Sequence, residues 1–209
     1  MDEKVSTGTT TVAVVCNDCV VMAADRRITA GNMIVGKDFK KIWPVADNMV
    51  LTVSGVVSDV QLISKYLRSE MKLKRIRTGR DATLKEAANL LAGWSYNLLR
   101  GSYAIGHYLL GGVDKNGKVK GSIYDISPDG ALKEYTDYTA SGSGSVFSLG
   151  VLESQYKKNM SEEEGIKLVT KALNASLQRD SASGNGFDVF VITTEGAKHA
   201  FEKEIDSRF

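Results

Sequence analysis

The chain has 209 residues, of which 43% are hydrophobic and 25% are charged, and its formal net charge is +2. This length and composition are typical of one globular domain and exclude a disordered or fibrous protein. No apolar run is long enough to span a bilayer, and the small net charge indicates neither a nucleic-acid-binding nor a membrane-binding protein.

The start of the chain is polar. Its first eight residues include two acids and no apolar stretch of the kind that a secretory signal needs. We therefore expect the protein to remain in the cytoplasm.

Strands are predicted first. Thr9–Cys16 and Cys19–Ala24 are β-rich runs, and Asn17–Asp18 between them predicts a hairpin turn. A redox C-x-x-C motif begins a helix and a structural zinc ion takes four ligands, so we interpret the two cysteines that bound this turn as structural. A further apolar run lies near Met49–Val53.

The hydrophobic period then changes to that of helices. Ser58 with Gln61, and Thr83 with Glu86, match the capping-box pattern that begins a helix. The basic run Lys72–Arg80 is typical of the solvated C-terminal end of the first helix. The apolar stripes at helical spacing are Val60, Ile63, Leu67 and Met71 in the first helix, and Leu84, Ala87, Leu91, Trp94 and Leu98 in the second.

The second half of the chain repeats this order. Strands are predicted between residues 107 and 135, with turns at Asn116–Gly117 and Ser127–Gly130. Two helices follow Gly144, and Phe187–Thr193 predicts a last core strand. The capping box and apolar stripe of the last helix are Ser161, Glu164, Ile166, Val169, Leu173 and Leu177. Strands and helices thus come in blocks, which favours an α+β protein of packed layers over a doubly wound sheet.

The common catalytic and binding motifs are missing from the sequence. A Ser-His-Asp triad needs a histidine, and His107 and His199 have no motif around them, so we interpret both as packing or surface residues. The glycine-rich segment Ser141–Ser145 lacks the spacing of a P-loop or a dinucleotide fingerprint. No cluster of residues has metal-ligand spacing, and we predict neither a metal nor a cofactor.

Seven short segments, taken together, carry a resemblance to a known family. Each alone is weak, since a glycine and threonines before a strand are commonplace. The segments in chain order are Gly8–Val12, Ala24–Arg27, Lys40–Ile42, Ser54–Gly55, Ser141–Gly144, Gly150–Ser154 and Arg179–Gly184. In this order and spacing they resemble the signatures of β-subunits of the 20S proteasome core particle, which are N-terminal-nucleophile threonine proteases. The short leader is similar to that of archaeal members.

The resemblance implies that Thr9 is the nucleophile and that self-cleavage between Gly8 and Thr9 exposes it. Residues 1–8 would then be a propeptide, and residues 9–209 a single catalytic domain. The chemistry is consistent with this role, because a free α-amine with a pKa of about 7.7–8.0 can act as the base for its own hydroxyl. While Gly8 is attached, that nitrogen is an amide and offers no base.

The remaining site residues follow from the same resemblance. Lys41 would assist proton movement, Asp25 would orient Lys41, and the backbone N–H of Gly55 would stabilise the oxyanion. The residues that would complete the hydrogen-bonding shell around the Thr9 amine are Ser143, Asp180 and Ser183. The residues that would line an apolar pocket beside Thr9, or alternatively belong to the core, are Ile28, Phe39, Trp43, Val53 and Val57. This pocket predicts cleavage after hydrophobic residues.

The family's fold is a four-layer αββα sandwich of two antiparallel sheets between helices. The resemblance further implies homo-oligomeric heptameric β-rings, two of them stacked between α-subunit rings in a twenty-eight-subunit core, with unfolded polypeptide as substrate and an ATP-driven unfoldase as partner. A non-catalytic, structural β-type ring subunit is the alternative from a different class. An α-subunit would carry a helical extension before the first strand, and a bacterial heat-shock peptidase of the same superfamily is usually shorter.

Overall fold

The computed structural model describes residues 8–102, 106–114 and 121–205. The elements in chain order are β1 Thr10–Val15, β2 Val20–Asp25, β3 Ile28–Ala30, β4 Met33–Gly36, β5 Ile42–Ala46, β6 Met49–Gly55, α1 Val57–Thr78, α2 Leu84–Ser102, β7 Gly106–Val113, β8 Gly121–Ile126, β9 Leu132–Tyr135, β10 Tyr138–Gly142, α3 Ser145–Gln155, α4 Glu162–Arg179, β11 Gly186–Ile192 and β12 Ala197–Glu204.

Two antiparallel five-stranded sheets form the centre of the molecule. Their strand orders are β10-β1-β2-β11-β12 and β5-β6-β7-β8-β9, while β3 and β4 pair separately. Helices α3 and α4 pack on the first sheet, and α1 and α2 pack on the second. The result is a four-layer αββα sandwich, which confirms the predicted α+β class.

Strand β1 shows how the layers are held together. Val12 and Val14 pack into the core below α3 and α4, whereas Ala13 and Val15 pack into the core between the two sheets. Successive side chains of a strand point to opposite faces, and here both faces are covered. The last four residues of the strand are therefore apolar, and its two polar residues, Thr10 and Thr11, come first.

Most predicted helical features are confirmed. The Thr83 and Glu86 side chains each accept a hydrogen bond from the other residue's backbone N–H, at 3.2 and 2.8 Å, and Ser161 and Glu164 do the same at 3.2 and 2.8 Å. The predicted stripe residues Ile63, Leu67, Met71, Leu84, Ala87, Leu91, Val169 and Leu173 are buried, and Trp94, Leu98, Ile166 and Leu177 are partly buried. The side chain of Val60 lies outside the described residues.

The capping box predicted at Ser58 and Gln61 is wrong. The N-cap of α1 is Val56, which makes no side-chain cap hydrogen bond, and Ser58 lies inside the first turn. The Ser58 hydroxyl contacts the Asp59 carboxylate at 3.3 Å instead. The chain enters α1 directly after β6, so the predicted cap lies two residues after the observed one.

The predicted turns have different outcomes. Asn17–Asp18 joins β1 to β2, with Cys16 N–H donating to the Cys19 carbonyl at 2.8 Å, and both cysteines are buried and free. Ser127–Gly130 joins β8 to β9 through a 2.9 Å hydrogen bond between its end residues. Asn116–Gly117 lies outside the described residues. Strands β3, β4, β5, β10 and β12 were not predicted. No described helix has the length and hydropathy needed to cross a membrane.

A matched pair of serine substitutions tests the capping assignments. Ser161→Ala is expected to lower the free energy of unfolding by about 1 kcal/mol, because it removes the acceptor for the Glu164 N–H. Ser58→Ala removes a hydroxyl that caps nothing and is expected to leave that free energy almost unchanged. Denaturant unfolding of the two variants beside the wild type measures both effects; equal losses would contradict the assignment.

Candidate active site

Thr9 lies directly before β1 and is 3% exposed. The register of the first sheet determines its neighbours, since Thr10 pairs with Gly142 on one side and the last residue of β2, Asp25, lies on the other. Residues that are far apart in sequence therefore meet at the start of β1.

Asp25 is fully buried and accepts four hydrogen bonds. Its Oδ1 accepts from Lys41 Nζ at 2.8 Å and from Thr10 N–H at 3.0 Å, while its Oδ2 accepts from Arg27 N–H at 3.1 Å and from Gly184 N–H at 3.0 Å. The carboxylate is thus fixed by three segments of backbone and can hold the Lys41 ammonium in one place.

Two donors converge on the carbonyl of the Gly8–Thr9 peptide. Lys41, which directly precedes β5 and is 4% exposed, donates from Nζ to the Gly8 oxygen at 3.1 Å. The Thr9 hydroxyl donates to the same oxygen at 2.6 Å. The nucleophile predicted from sequence and its lysine therefore both contact the peptide group that self-cleavage would break.

Burial sets the electrostatics of the Asp25–Lys41 pair. It raises the pKa of Asp25 and lowers the pKa of Lys41, because each charge loses its hydration in the interior; the partner's opposite charge acts against both changes. A lowered pKa makes the Lys41 ammonium a better proton donor than a lysine at the surface.

A second polar chain reaches the Thr9 nitrogen from the opposite side. Thr9 N–H donates to Ser143 Oγ at 3.2 Å, and Ser143 Oγ donates to Asp180 Oδ2 at 2.6 Å. Ser183 Oγ also donates to Asp180 Oδ2, at 2.7 Å, and lies 2.7 Å from Thr10 Oγ1. The structure therefore brings all three predicted shell residues together around one carboxylate.

Gly55 ends β6 with a φ of 143°, a conformation that side-chain-bearing residues rarely adopt. It lines a small cavity beside Thr9. The other residues that line this cavity are Gly8, Arg27, Ile28, Phe39, Lys41, Val53 and Val57. Gly55 and four of the five predicted pocket residues thus border one space.

Trp43 is the predicted pocket residue that does not line this cavity. Its ring meets that of Phe39 edge-on, with centroids 6.1 Å apart, and it borders a neighbouring groove together with Gln61 and Lys65. Phe39 lines both spaces.

Sequence reasoning missed two residues that contact Gly8. Thr29, on β3, accepts the Gly8 N–H on its hydroxyl at 3.1 Å. A Cβ built on Gly8 would collide with the side chain and backbone of Ala182. Thr29 belongs to none of the predicted patterns, and Ala182, although it lies in the Arg179–Gly184 segment, carries no catalytic group. Only the tertiary fold brings the two residues to Gly8.

The two histidines form hydrogen bonds with carboxylates outside this site. His107 contacts Asp125 at 2.5 Å, and His199 contacts Asp188 at 3.0 Å. Asp188, His199 and Glu202 lie close enough to be considered as metal ligands. However, Arg26 donates to both Asp188 oxygens, at 2.9 and 2.7 Å, and to Glu202 at 2.5 Å. This group is a salt-bridge network that joins Arg26, directly after β2, to β11 and β12.

Comparison with known proteins gives a consistent result. A family model described as Proteasome subunit matches residues 5–192. The chain is 38% identical to the proteasome subunit beta of Methanocella paludicola over 98% of this chain and 97% of that protein. It is 41% identical to that of Archaeoglobus fulgidus over 93% and 90%, and 39% identical to that of Methanocaldococcus jannaschii over 95% and 88%.

Proposed function

We propose, from the premise that this chain belongs to the proteasome subunit family, that it is a catalytic β-subunit with Thr9 as the nucleophile of a threonine endopeptidase. The observation that carries the proposal is the convergence of the Thr9 hydroxyl and the Lys41 ammonium on the Gly8 carbonyl. A purely structural subunit has no need for a buried lysine at a carbonyl that precedes a threonine.

Self-cleavage is the first reaction of the proposed site. The Thr9 hydroxyl oxygen attacks the Gly8 carbonyl carbon, the C–N bond to Thr9 breaks, and the hydroxyl proton passes to the departing nitrogen. Lys41 stabilises the negative charge that develops on the Gly8 oxygen. Water then hydrolyses the ester, which releases residues 1–8 with a Gly8 carboxylate and leaves residues 9–209 as the catalytic domain.

Peptide hydrolysis uses the amine that self-cleavage creates. This amine takes the proton of the Thr9 hydroxyl, which attacks a substrate carbonyl and forms an ester that water hydrolyses. Ser143 and Asp180 would hold this amine, and their hydrogen-bond chain to the Thr9 nitrogen supports that role. The Gly55 N–H would stabilise the oxyanion of this second reaction.

The proposal extends to assembly and location. As a proteasome β-subunit, the chain would form heptameric rings, stacked in pairs between α-subunit rings, in the cytoplasm. A closed chamber of this kind admits unfolded polypeptide, which an ATP-driven unfoldase would deliver through the α-ring.

An assay of assembled particles tests the proposed activity. The subunit is co-expressed with its α-subunit, and hydrolysis of fluorogenic peptides is measured with hydrophobic, acidic and basic residues before the scissile bond. We expect cleavage after hydrophobic residues, because Ile28, Val53 and Val57 make the cavity beside Thr9 apolar. Particles that contain Thr9→Ala serve as the background; equal rates in both would contradict a catalytic role.

A substitution of Phe39 tests how the cavity selects substrates. The cavity beside Thr9 has about 20 Å³, whereas the groove beyond Phe39 has about 390 Å³. Phe39→Ala is expected to join the two spaces and so to admit a larger side chain. We expect the ratio of kcat/KM for peptides with tryptophan before the scissile bond to kcat/KM for peptides with alanine there to rise about 10-fold. Lys65→Ala changes the groove alone and is the control. An unchanged ratio in Phe39→Ala would show that Phe39 does not limit the pocket.

A further inference from the structure

Gly8 is held at both ends of its backbone. Its N–H donates to Thr29 Oγ1 at 3.1 Å, while its carbonyl accepts from Lys41 Nζ and from the Thr9 hydroxyl. Ala182 packs so closely that Gly8 has no room for a side chain. Of these three hydrogen bonds, the one to Thr29 has no part in the proposed reaction.

Thr29 is itself rigidly placed. It is 4% exposed and lies in the middle of β3, where it pairs with Ile34. β3 follows closely on β2, and the intervening Arg27 N–H is bound to Asp25. The β-branched side chain of threonine further restricts its χ1 angle. The hydroxyl of Thr29 is thus an acceptor in a fixed position relative to the Asp25 carboxylate.

A fixed acceptor matters here because glycine is the residue with the widest choice of backbone angles. Lys41 holds the Gly8 oxygen and Ser143 holds the Thr9 N–H, so the scissile peptide group is bound at both ends. The Gly8 N–H belongs to the preceding peptide group, which can still rotate about the backbone angles of Gly8. Attack requires the carbonyl carbon to face the Thr9 hydroxyl, and small misplacements slow such reactions strongly. The Thr29 hydroxyl fixes the Gly8 N–H and so restricts rotation about the Gly8 backbone angles, which keeps the leader from pulling the scissile carbonyl out of position.

We propose that Thr29 is a positioning residue for self-cleavage, and that its hydroxyl binds the Gly8 amide and thereby orients the scissile carbonyl toward Thr9. The inference rests on the proposed function, because it assumes that the Gly8–Thr9 bond is broken by Thr9. It adds that the precursor has a dedicated contact for its leader on β3, outside the residues that perform the chemistry.

The test is a time course of leader loss in assembled particles, followed by intact mass, with three variants beside the wild type. Thr29→Val keeps the shape of the side chain without its hydroxyl, and Thr29→Ser keeps the hydroxyl. Thr52→Val is the matched control, since Thr52 is fully buried and its hydroxyl has no hydrogen-bond partner among the described residues. The melting temperature of each particle is measured in parallel.

We expect Thr29→Val to lose its leader about 5- to 10-fold more slowly, the effect of one hydrogen bond, and Thr29→Ser and Thr52→Val to stay within about twofold of the wild type. The melting temperature of Thr29→Val should match that of Thr52→Val. The inference would be overturned if Thr29→Val lost its leader at the wild-type rate, or if Thr29→Ser were slowed as much as Thr29→Val. If Thr29→Val does not assemble, Thr29→Ala, which also lacks the hydroxyl, takes its place, and its rate of leader loss is compared with those of Thr29→Ser and the wild type. A wild type that keeps its leader would instead overturn the proposed function.

Discussion

Replacing Lys41 with methionine is expected to slow both leader removal and peptide hydrolysis by about 10²- to 10⁴-fold, the usual contribution of a proton-transferring group. Methionine matches the length of the lysine side chain but carries no charge and no donor. The Gly8 oxygen would lose the 3.1 Å contact that stabilises its developing charge, and Asp25 would lose its buried counterion. Intact mass and fluorogenic-peptide hydrolysis measure the two reactions in the same particles.

The adjacent lysine provides the control for this substitution. Lys40 is exposed, whereas Lys41 is buried against Asp25. Lys40→Met should therefore process and hydrolyse peptides at wild-type rates. Equal losses in Lys40→Met and Lys41→Met, or wild-type rates in both, would contradict the role assigned to Lys41.

Gly8→Ala is expected to slow leader removal by about 10²-fold, because misplacement of a reacting group by as little as 1 Å can have an effect of that size. The added Cβ would collide with Ala182, so the carbonyl would have to move away from Lys41 and Thr9. Residue 8 leaves with the leader, and each molecule that does process is identical to the mature wild type. Peptide hydrolysis per processed subunit should therefore be normal.

Two further variants show whether the collision is the cause. Gly150→Ala places a methyl group where nothing lies within 4 Å, and it should not affect leader removal. Adding Ala182→Gly to Gly8→Ala removes one of the colliding atoms and should recover part of the rate. Rapid processing of Gly8→Ala alone would contradict the proposed geometry.

Much of the fold was predictable because its signals are local. A capping box such as Ser161 with Glu164 is a contact between residues three apart, and the helical stripes require only a repeat of the hydrophobic period. β3, with three residues, is too short to show a period. β12 is an edge strand of mixed charge, without the apolar run that revealed β1.

The candidate site was predictable only through the resemblance. Nothing local connects Thr9 to Ser143, which lies 134 positions away, and the contact exists because β10 pairs with β1. The contacts of Thr29 and Ala182 with Gly8 went unnoticed for the same reason. Thr29 lies on a short strand and Ala182 in a loop, and their contacts with Gly8 can be recognised only in the folded structure.

The measurement that tests the central claim most directly is the intact mass of this subunit in assembled particles, beside a Thr9→Ala variant. If Thr9 is a self-activating nucleophile, the wild type loses residues 1–8, and Thr9→Ala keeps them because it has no hydroxyl to attack the Gly8 carbonyl. If both chains keep the leader, or if Thr9→Ala loses it at the same bond, Thr9 does not perform the cleavage and the catalytic assignment fails.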